Sequence, residues 1–207
     1  MLCKTKKLYL NLRLNFEIIQ LMSTETPKDD LELVARLKEP STCRDAFGDV
    51  IKLYNEQLYW QIRRMVNNHD DANDLLQNTF MKAWSSIENF RGEAKLSTWL
   101  HKIAINESIT FLEKERKRHN LSLDDEESFL INTIEADEYV DGDELALLLR
   151  KAIASLPEKQ RLVFNMKYYD DMKYEQMSEI LGTSVGALKA SYHLAVKKIE
   201  QFFNDLD

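Results

Sequence analysis

Three stretches of this sequence gather side chains that could act on a charged partner. The loop ENFRGEAKLS, residues 88–97, holds Asn89, Phe90, Arg91, Lys95 and Ser97 and is bracketed by Trp84 and Trp99. The run EKERKR, residues 113–118, concentrates Lys114, Arg116, Lys117 and Arg118 in little more than one turn. The run SVGALKASYH, residues 184–193, sets Lys189 and His193 among small residues. Aromatic and cationic groups together suit single-stranded nucleic acid, where bases stack on rings and phosphates pair with cations. A plainer reading stands beside it: tryptophans at helical spacing serve as core, and cations at a helix C-terminus meet its dipole.

Covalent chemistry has little to work with. Cys3 and Cys43 have no partner at a metal-ligand spacing, and His69, His101, His119 and His193 are scattered. No His-x-x-x-His pair, Gly-rich phosphate loop, Gly-x-Ser-x-Gly or His-Glu-x-x-His occurs. The expectation is a binding protein that is not an enzyme, with no metal and no cofactor.

Composition sets the class of scaffold. The 207 residues include only 5 Gly and 3 Pro, about a third of the roughly 12% expected for the pair. Sandwiches, barrels and many-looped α/β folds need more turn residues than that. Hydrophobic residues at 44% and charged residues at 30% fit a soluble globular chain. An all-α fold is therefore expected.

The formal net charge of −7 speaks at first against a nucleic-acid partner. Its distribution changes the reading. Residues 1–118 carry 19 Lys+Arg against 17 Asp+Glu, and residues 145–207 carry 9 against 8. Residues 119–144 carry 10 acidic residues and no basic one. Two nearly neutral helical domains, 22–118 and 144–207, joined by a flexible acidic linker over 119–143, is the expected organisation. The linker is either a solvated spacer or a nucleic-acid mimic that covers basic surfaces. Leu121, Leu123, Phe129, Leu130, Ile131 and Ile134 suggest that parts of it dock.

Residues 1–21 combine Lys4, Lys6 and Lys7 with an apolar run, but Asn11, Arg13, Asn15 and Glu17 interrupt it and no small-x-small cleavage site follows. The segment is too short and too charged to span a bilayer. It reads as a disordered or non-native extension ahead of an alternative start at Met22, or as a short element that docks on the domain. Either way the protein is expected in the cytoplasm, without membrane insertion.

The helices that must position these residues show in the apolar spacing. Phe47, Val50, Ile51, Tyr54, Leu58, Ile62, Met65 and Val66 mark one face of a first helix. After a break at Asn67, Asn68 and His69, a second helix opens with Asp70 and Asp71. Its buried stripe is Ala72, Leu75, Leu76, Phe80, Ala83, Trp84 and Ile87; Asp74, Gln77, Asn78, Met81 and Lys82 lie opposite. A third helix begins near Ser97 as its cap and turns Trp99, Leu100, Ile103, Ala104 and Leu112 inward.

In the second domain, LALLLRKAIASLPEKQRLVFNMKYYDDM predicts two helices, with Pro157 in the first turn of the latter. A short helix, a turn at Gly182 and a long helix follow, with Met177, Ile180, Leu181, Val185, Leu188, Tyr192, Val196 and Ile199 as core. That is the pattern of a helix-turn-helix. Its second helix would place Ser184, Gly186, Ala187, Lys189, Ala190, Ser191 and His193 on or near the outside, with Lys197 and Lys198 further along. Small residues at that end permit close approach to a duplex.

These residues also carry a resemblance. DDANDLLQNTFMKAW followed by FRGEAKLSTWLHKIAIN, and later SLPEKQRLVF with YEQMSEILGTSVGALK, resemble bacterial RNA polymerase sigma factors of the extracytoplasmic-function (ECF) type. The likeness spans roughly residues 31–118 and 144–204. It implies that the first domain binds the β′ clamp helices of core RNA polymerase through Asp74, Leu75, Gln77, Asn78 and Met81, with Phe80 rather in the core. Asn73 and Asn78 stand where the family commonly has acidic residues, which implies a weaker contact. By the same resemblance Asn89, Phe90, Arg91, Lys95, Ser97, Trp99 and Asn106 serve −10 recognition and promoter melting. Ser184, Gly186, Ala187, Lys189, Ala190, Ser191, His193 and Lys197 would meet the −35 element, and the β flap is a further expected partner. Ser191 stands where many members carry a basic residue, which shifts the weight toward phosphate contacts and DNA shape. An anti-sigma factor is expected as a partner. The rival readings are a stand-alone helix-turn-helix regulator and an adaptor that binds polymerase without melting DNA.

Overall fold

The computed structural model describes residues 27–90, 92, 94–119, 130–131, 134 and 144–206. Residues 1–21, Arg91 and most of the acidic segment lie outside the described residues. Those described are helical in the main, with no strand among them. They fall into two compact units, one reaching to residue 119 and one from residue 130 onward.

The first unit holds α1 (Pro27–Lys38), α2 (Cys43–Val66), α3 (His69–Ser86), a 3-10 turn at Ile87–Asn89, and α4 (Leu96–Arg118). Leu33 and Leu37 bury one side of α1. Arg36 on α1 donates to Asp49 on α2 at 2.9 Å, and this hydrogen bond holds the Asp49 carboxyl below the usual carboxylate range. Val50, Leu58 and Ile62 on α2 and Leu100 and Ala104 on α4 are fully buried, as their spacing requires. Ile51, expected inside, is exposed. It lies at the margin of the face set by Phe47, Val50 and Tyr54, and the stripe is narrower than the apolar spacing.

Backbone geometry sets the α2–α3 corner. Asn67 takes the left-handed conformation at φ 57° and ends α2, a conformation that asparagine tolerates better than most residues. Asn68, not an aspartate, opens α3: its side chain accepts from the Asp71 amide at 3.0 Å. The break is thus two residues, and His69 already belongs to the helix.

The second unit holds α5 (Glu144–Ala154), α6 (Glu158–Tyr168), α7 (Tyr174–Leu181) and α8 (Val185–Asn204). Pro157 caps α6 from outside its first turn. Ala152, Ile153, Leu156, Phe164, Ala195, Ile199 and Phe203 form the main core. Leu130 and Ile134 are buried against Ala154 in a smaller cluster that Ile131 and Leu147 flank. The segment expected to be a tether is therefore anchored on this unit at these residues rather than solvated along its whole length.

Arg161 is the least anticipated member of this unit. Its guanidinium is buried and donates to the carbonyls of Ala154 at 3.1 Å and Leu156 at 3.2 Å. The Ala154 carbonyl is the last of α5 and the Leu156 carbonyl lies in the turn before α6, so the guanidinium supplies donors where the α5 ladder has ended. Removing the donor leaves buried acceptors unsatisfied. Arg161→Met should cost about 1.5–3 kcal/mol, the range for hydrogen bonds to a charged group. Urea unfolding followed by circular dichroism checks it; a loss under about 0.5 kcal/mol would mean water replaces the guanidinium.

Candidate functional site

The exposed side of α3 is fixed by what its other side buries. Ala72, Leu75, Leu76, Thr79, Phe80 and Ala83 face inward, and Phe80 meets Phe47 of α2 edge-on at 6.5 Å. At 100° per residue this leaves Asp74, Gln77, Asn78, Met81 and Lys82 on the surface, and all five are exposed. Leu75, at 5% exposure, does not share that surface; it packs in the core beside Leu76. Trp84, expected inside, is 45% exposed: its ring lies edge-on to Phe47 at 5.0 Å and leaves its other side to solvent. Together with Met81, 56% exposed, it adds apolar surface to a polar face.

The N-terminal end of α3 is acidic. Burial raises the pKa of Asp71, and the neighbouring charges of Glu115, Asp74 and Asp70 push the same way. Glu115 lies near the C-terminal end of α4, where it also accepts from Arg118 at 2.9 Å and lies 3.6 Å from His119. The basic run 113–118 is thus not a patch of one sign. Arg118 is paired, while Lys114 and Lys117 are exposed.

Phe90 in the 88–97 loop and Trp99 on α4 take two different roles. Phe90 is buried, so its ring is not offered to a base; it supports Trp99, half-buried, at 5.0 Å and a 37° tilt. Asn89, Lys95 and Asn106 are exposed and Ser97 is half-buried. Ser97 is not the cap of α4: the helix begins at Leu96, and Lys95 occupies the cap position without a side-chain bond. Gly92 takes φ 77°, which a residue with a Cβ adopts only under strain. Lys82 on α3 pairs with Glu107 on α4, next to Asn106.

In the second unit α7, Gly182 and α8 form the expected helix-turn-helix. Gly182 ends α7 at φ 62°, and Ser184 caps α8 by accepting from the Ala187 amide at 3.3 Å. Met177, Ile180, Leu188 and Ile199 are buried, with Leu181, Val185, Tyr192 and Val196 half-buried around them. Ser184, Gly186, Ala187, Lys189, Ala190, His193, Lys197 and Lys198 are exposed, and Ser191 is half-buried. Lys189 lies over the Tyr174 ring, 5.7 Å from its centroid.

Each unit thus presents an exposed surface set by its own core. Among the described residues no group of His, Cys, Asp and Glu could hold a metal ion, and no helix is long and apolar enough to cross a membrane. Comparison with known proteins gives both surfaces a family. The Sigma-70 region 2 model matches residues 50–118, and the Sigma-70, region 4 model matches residues 146–199. The ECF RNA polymerase sigma factor SigW of Bacillus subtilis is 30% identical over 171 residues, covering 79% of this chain and 91% of that protein.

The chain belongs to the ECF sigma factors.

The ECF RNA polymerase sigma-E factor of Haemophilus influenzae is 28% identical over 181 residues, covering 83% of this chain and 93% of its own. Among solved structures, CnrH in complex with the cytosolic domain of CnrY gives a TM-score of 0.62 at 20% identity, covering 85% of this chain and 97% of that one. The sigma factor RpoE with the anti-sigma factor NepR from Bartonella quintana gives 0.60 at 21%, covering 76% and 96%. These two likenesses speak for the all-α, two-domain fold. An ECF sigma factor directs promoter-specific initiation by binding and performs no covalent chemistry. A stand-alone regulator is not favoured, because the match includes region 2 as well as the helix-turn-helix.

The sigma factor's α8 carries a titratable group packed half-buried against the core. Burial pushes the Tyr192 phenol up to about 12 from 10.0, and Tyr174 and Tyr168 add to the shift. The unfolded chain therefore gives up this proton first. The stability contributed by the neutral phenol is complete below pH 10 and is lost as pH rises to about 12. Unfolding midpoints of wild type and Tyr192→Phe between pH 9 and 11 check it. The wild type should lose more stability; parallel losses would remove Tyr192 as a cause.

Proposed function

We propose that this sigma factor loads onto core RNA polymerase through the exposed side of α3 and reads promoter DNA with the 88–97 loop, the start of α4 and the start of α8. The single observation that carries the reading is the side of α3. Asp74, Gln77, Asn78 and Met81 are exposed there in a chain whose other side of the same helix is core. In this reading residues 22–118 bind core and open the −10 region, with Asp74, Gln77, Asn78 and Met81 against the β′ clamp helices and Leu75 holding their helix from within. Asn89, Arg91, Lys95, Ser97, Trp99 and Asn106 act on the melted strand, with Phe90 as the support of Trp99. Residues 144–207 bind the −35 element through Ser184, Gly186, Ala187, Lys189, Ala190, Ser191, His193 and Lys197, and meet the β flap. Residues 119–143 connect the two.

Binding energy does the work of strand separation. Each DNA-facing domain is nearly neutral, and phosphate neutralisation supplies most non-specific affinity for DNA. Polymerase must therefore bring the two surfaces to the promoter together, turning two weak contacts into one effective one. The protein would act in the cytoplasm. An anti-sigma factor is its expected regulator: RpoE was solved with NepR bound, and a partner of that kind would cover the polymerase-binding side.

Gel filtration of the full chain with sigma-free core polymerase tests this reading. Wild type should co-elute. Asp74→Lys combined with Gln77→Ala changes only exposed positions and should weaken co-elution about tenfold or more, the scale of a lost interface hot spot. Undiminished co-elution of that variant, with unchanged circular dichroism, would place the contact elsewhere.

A further inference from the structure

Lys189 has to do more than its position alone explains. It is the only basic residue in the first two turns of α8, where Gly186, Ala187, Ala190 and Ser191 supply no charge. A lysine on an exposed helix side samples many rotamers, and that freedom is lost whenever the ammonium settles on one acceptor. In this protein the Lys189 Nζ instead lies 5.7 Å from the centre of the Tyr174 ring, within the range of cation–π attraction.

A second ammonium, that of Lys167, lies 5.9 Å from the centre of the Tyr174 ring. It donates to Asp171 Oδ1 at 2.9 Å and to the Met172 carbonyl at 3.3 Å. Asp171 takes the left-handed conformation at φ 44° in the turn between α6 and α7. Two cations on one ring would repel, but the Asp171 carboxylate offsets the charge of Lys167. The attraction left for Lys189 is thereby preserved.

We propose that Tyr174 is a positioning residue for promoter recognition: its ring, flanked from the turn side by the Asp171-paired Lys167, holds the Lys189 ammonium ready for the DNA. The proposal rests on the reading of α8 as the DNA-facing helix. It assigns no DNA contact to Tyr174 itself. What the ring contributes is a restricted set of Lys189 conformers, so that less freedom is lost when the ammonium meets a phosphate or base edge. The ring is what is required, and the hydroxyl is not.

The test uses holoenzyme reconstituted from core polymerase and the full chain. The probe is a promoter duplex that the wild-type holoenzyme selects from a library randomised upstream of the melted region, against the same duplex with those positions scrambled. Tyr174→Leu should reduce the preference for the selected duplex about 2- to 5-fold, the scale of one exposed cation–π contact. Tyr174→Phe should restore it. In a Lys189→Ala background Tyr174→Leu should have no further effect. An equal loss in Tyr174→Phe, or an undiminished effect of Tyr174→Leu without Lys189, would overturn the proposal. A Lys189→Ala holoenzyme with unchanged preference would overturn the DNA-facing reading of Lys189 and this proposal with it. A second measurement does not depend on any variant folding. The Lys189 Hε protons in the wild-type chain should be shifted upfield by the ring, and an unshifted resonance would contradict the contact.

Discussion

The sidedness of α3 is the constraint on which the first unit depends. Leu75, Leu76, Phe80 and Ala83 are buried on the inner side of this helix, and a helix cannot bury one side without committing the residues between to the other. Asp74, Gln77, Asn78 and Met81 are exposed for that reason alone. The core that makes the unit fold is thus also what orients the surface proposed to meet polymerase. Loosening of the core would be felt at the interface. The cap at Asn68 and the left-handed turn at Asn67 set where this partition begins.

The second unit solves the same problem with different means. Phe164 stacks on Tyr168 and Tyr192, and Phe203 closes the far end of α8. The buried Arg161 secures the end of α5. With these contacts the start of α8 is left free of bulky residues, and a duplex could approach its backbone closely. Charge is sparse there, so affinity has to come from fit and from the partner that delivers the domain. This agrees with the near-neutral balance of residues 145–207.

Much of this was legible because helical periodicity is a strong signal over 15 or more residues. The three long helices of the first unit, the helix-turn-helix, and the exposure of Asp74, Gln77, Asn78 and Met81 all follow from it. What escaped were residues at the margins of a stripe, where periodicity gives the angle but not the neighbour. Trp84 and Ile51 read as core and are exposed; Phe90 reads as a loop aromatic and is buried. Ser97 has the chemistry of a cap, yet Lys95 takes that position, since a cap is set by where the backbone turns. Arg161 shows no sequence signal at all, because its acceptors are carbonyls that every residue possesses. The docking of Leu130 and Ile134 was suggested by their apolarity, but not its place.

As an ECF sigma factor, this chain gives core polymerase a promoter choice it otherwise lacks. Transcription of fragmented genomic DNA by sigma-free core, with and without the full chain, tests it most directly when the 5′ ends of the transcripts are sequenced. A limited set of start sites should appear only with the chain and share two upstream elements at a fixed separation. Core polymerase that binds the chain yet yields no new start sites, or starts without a shared element, would contradict it.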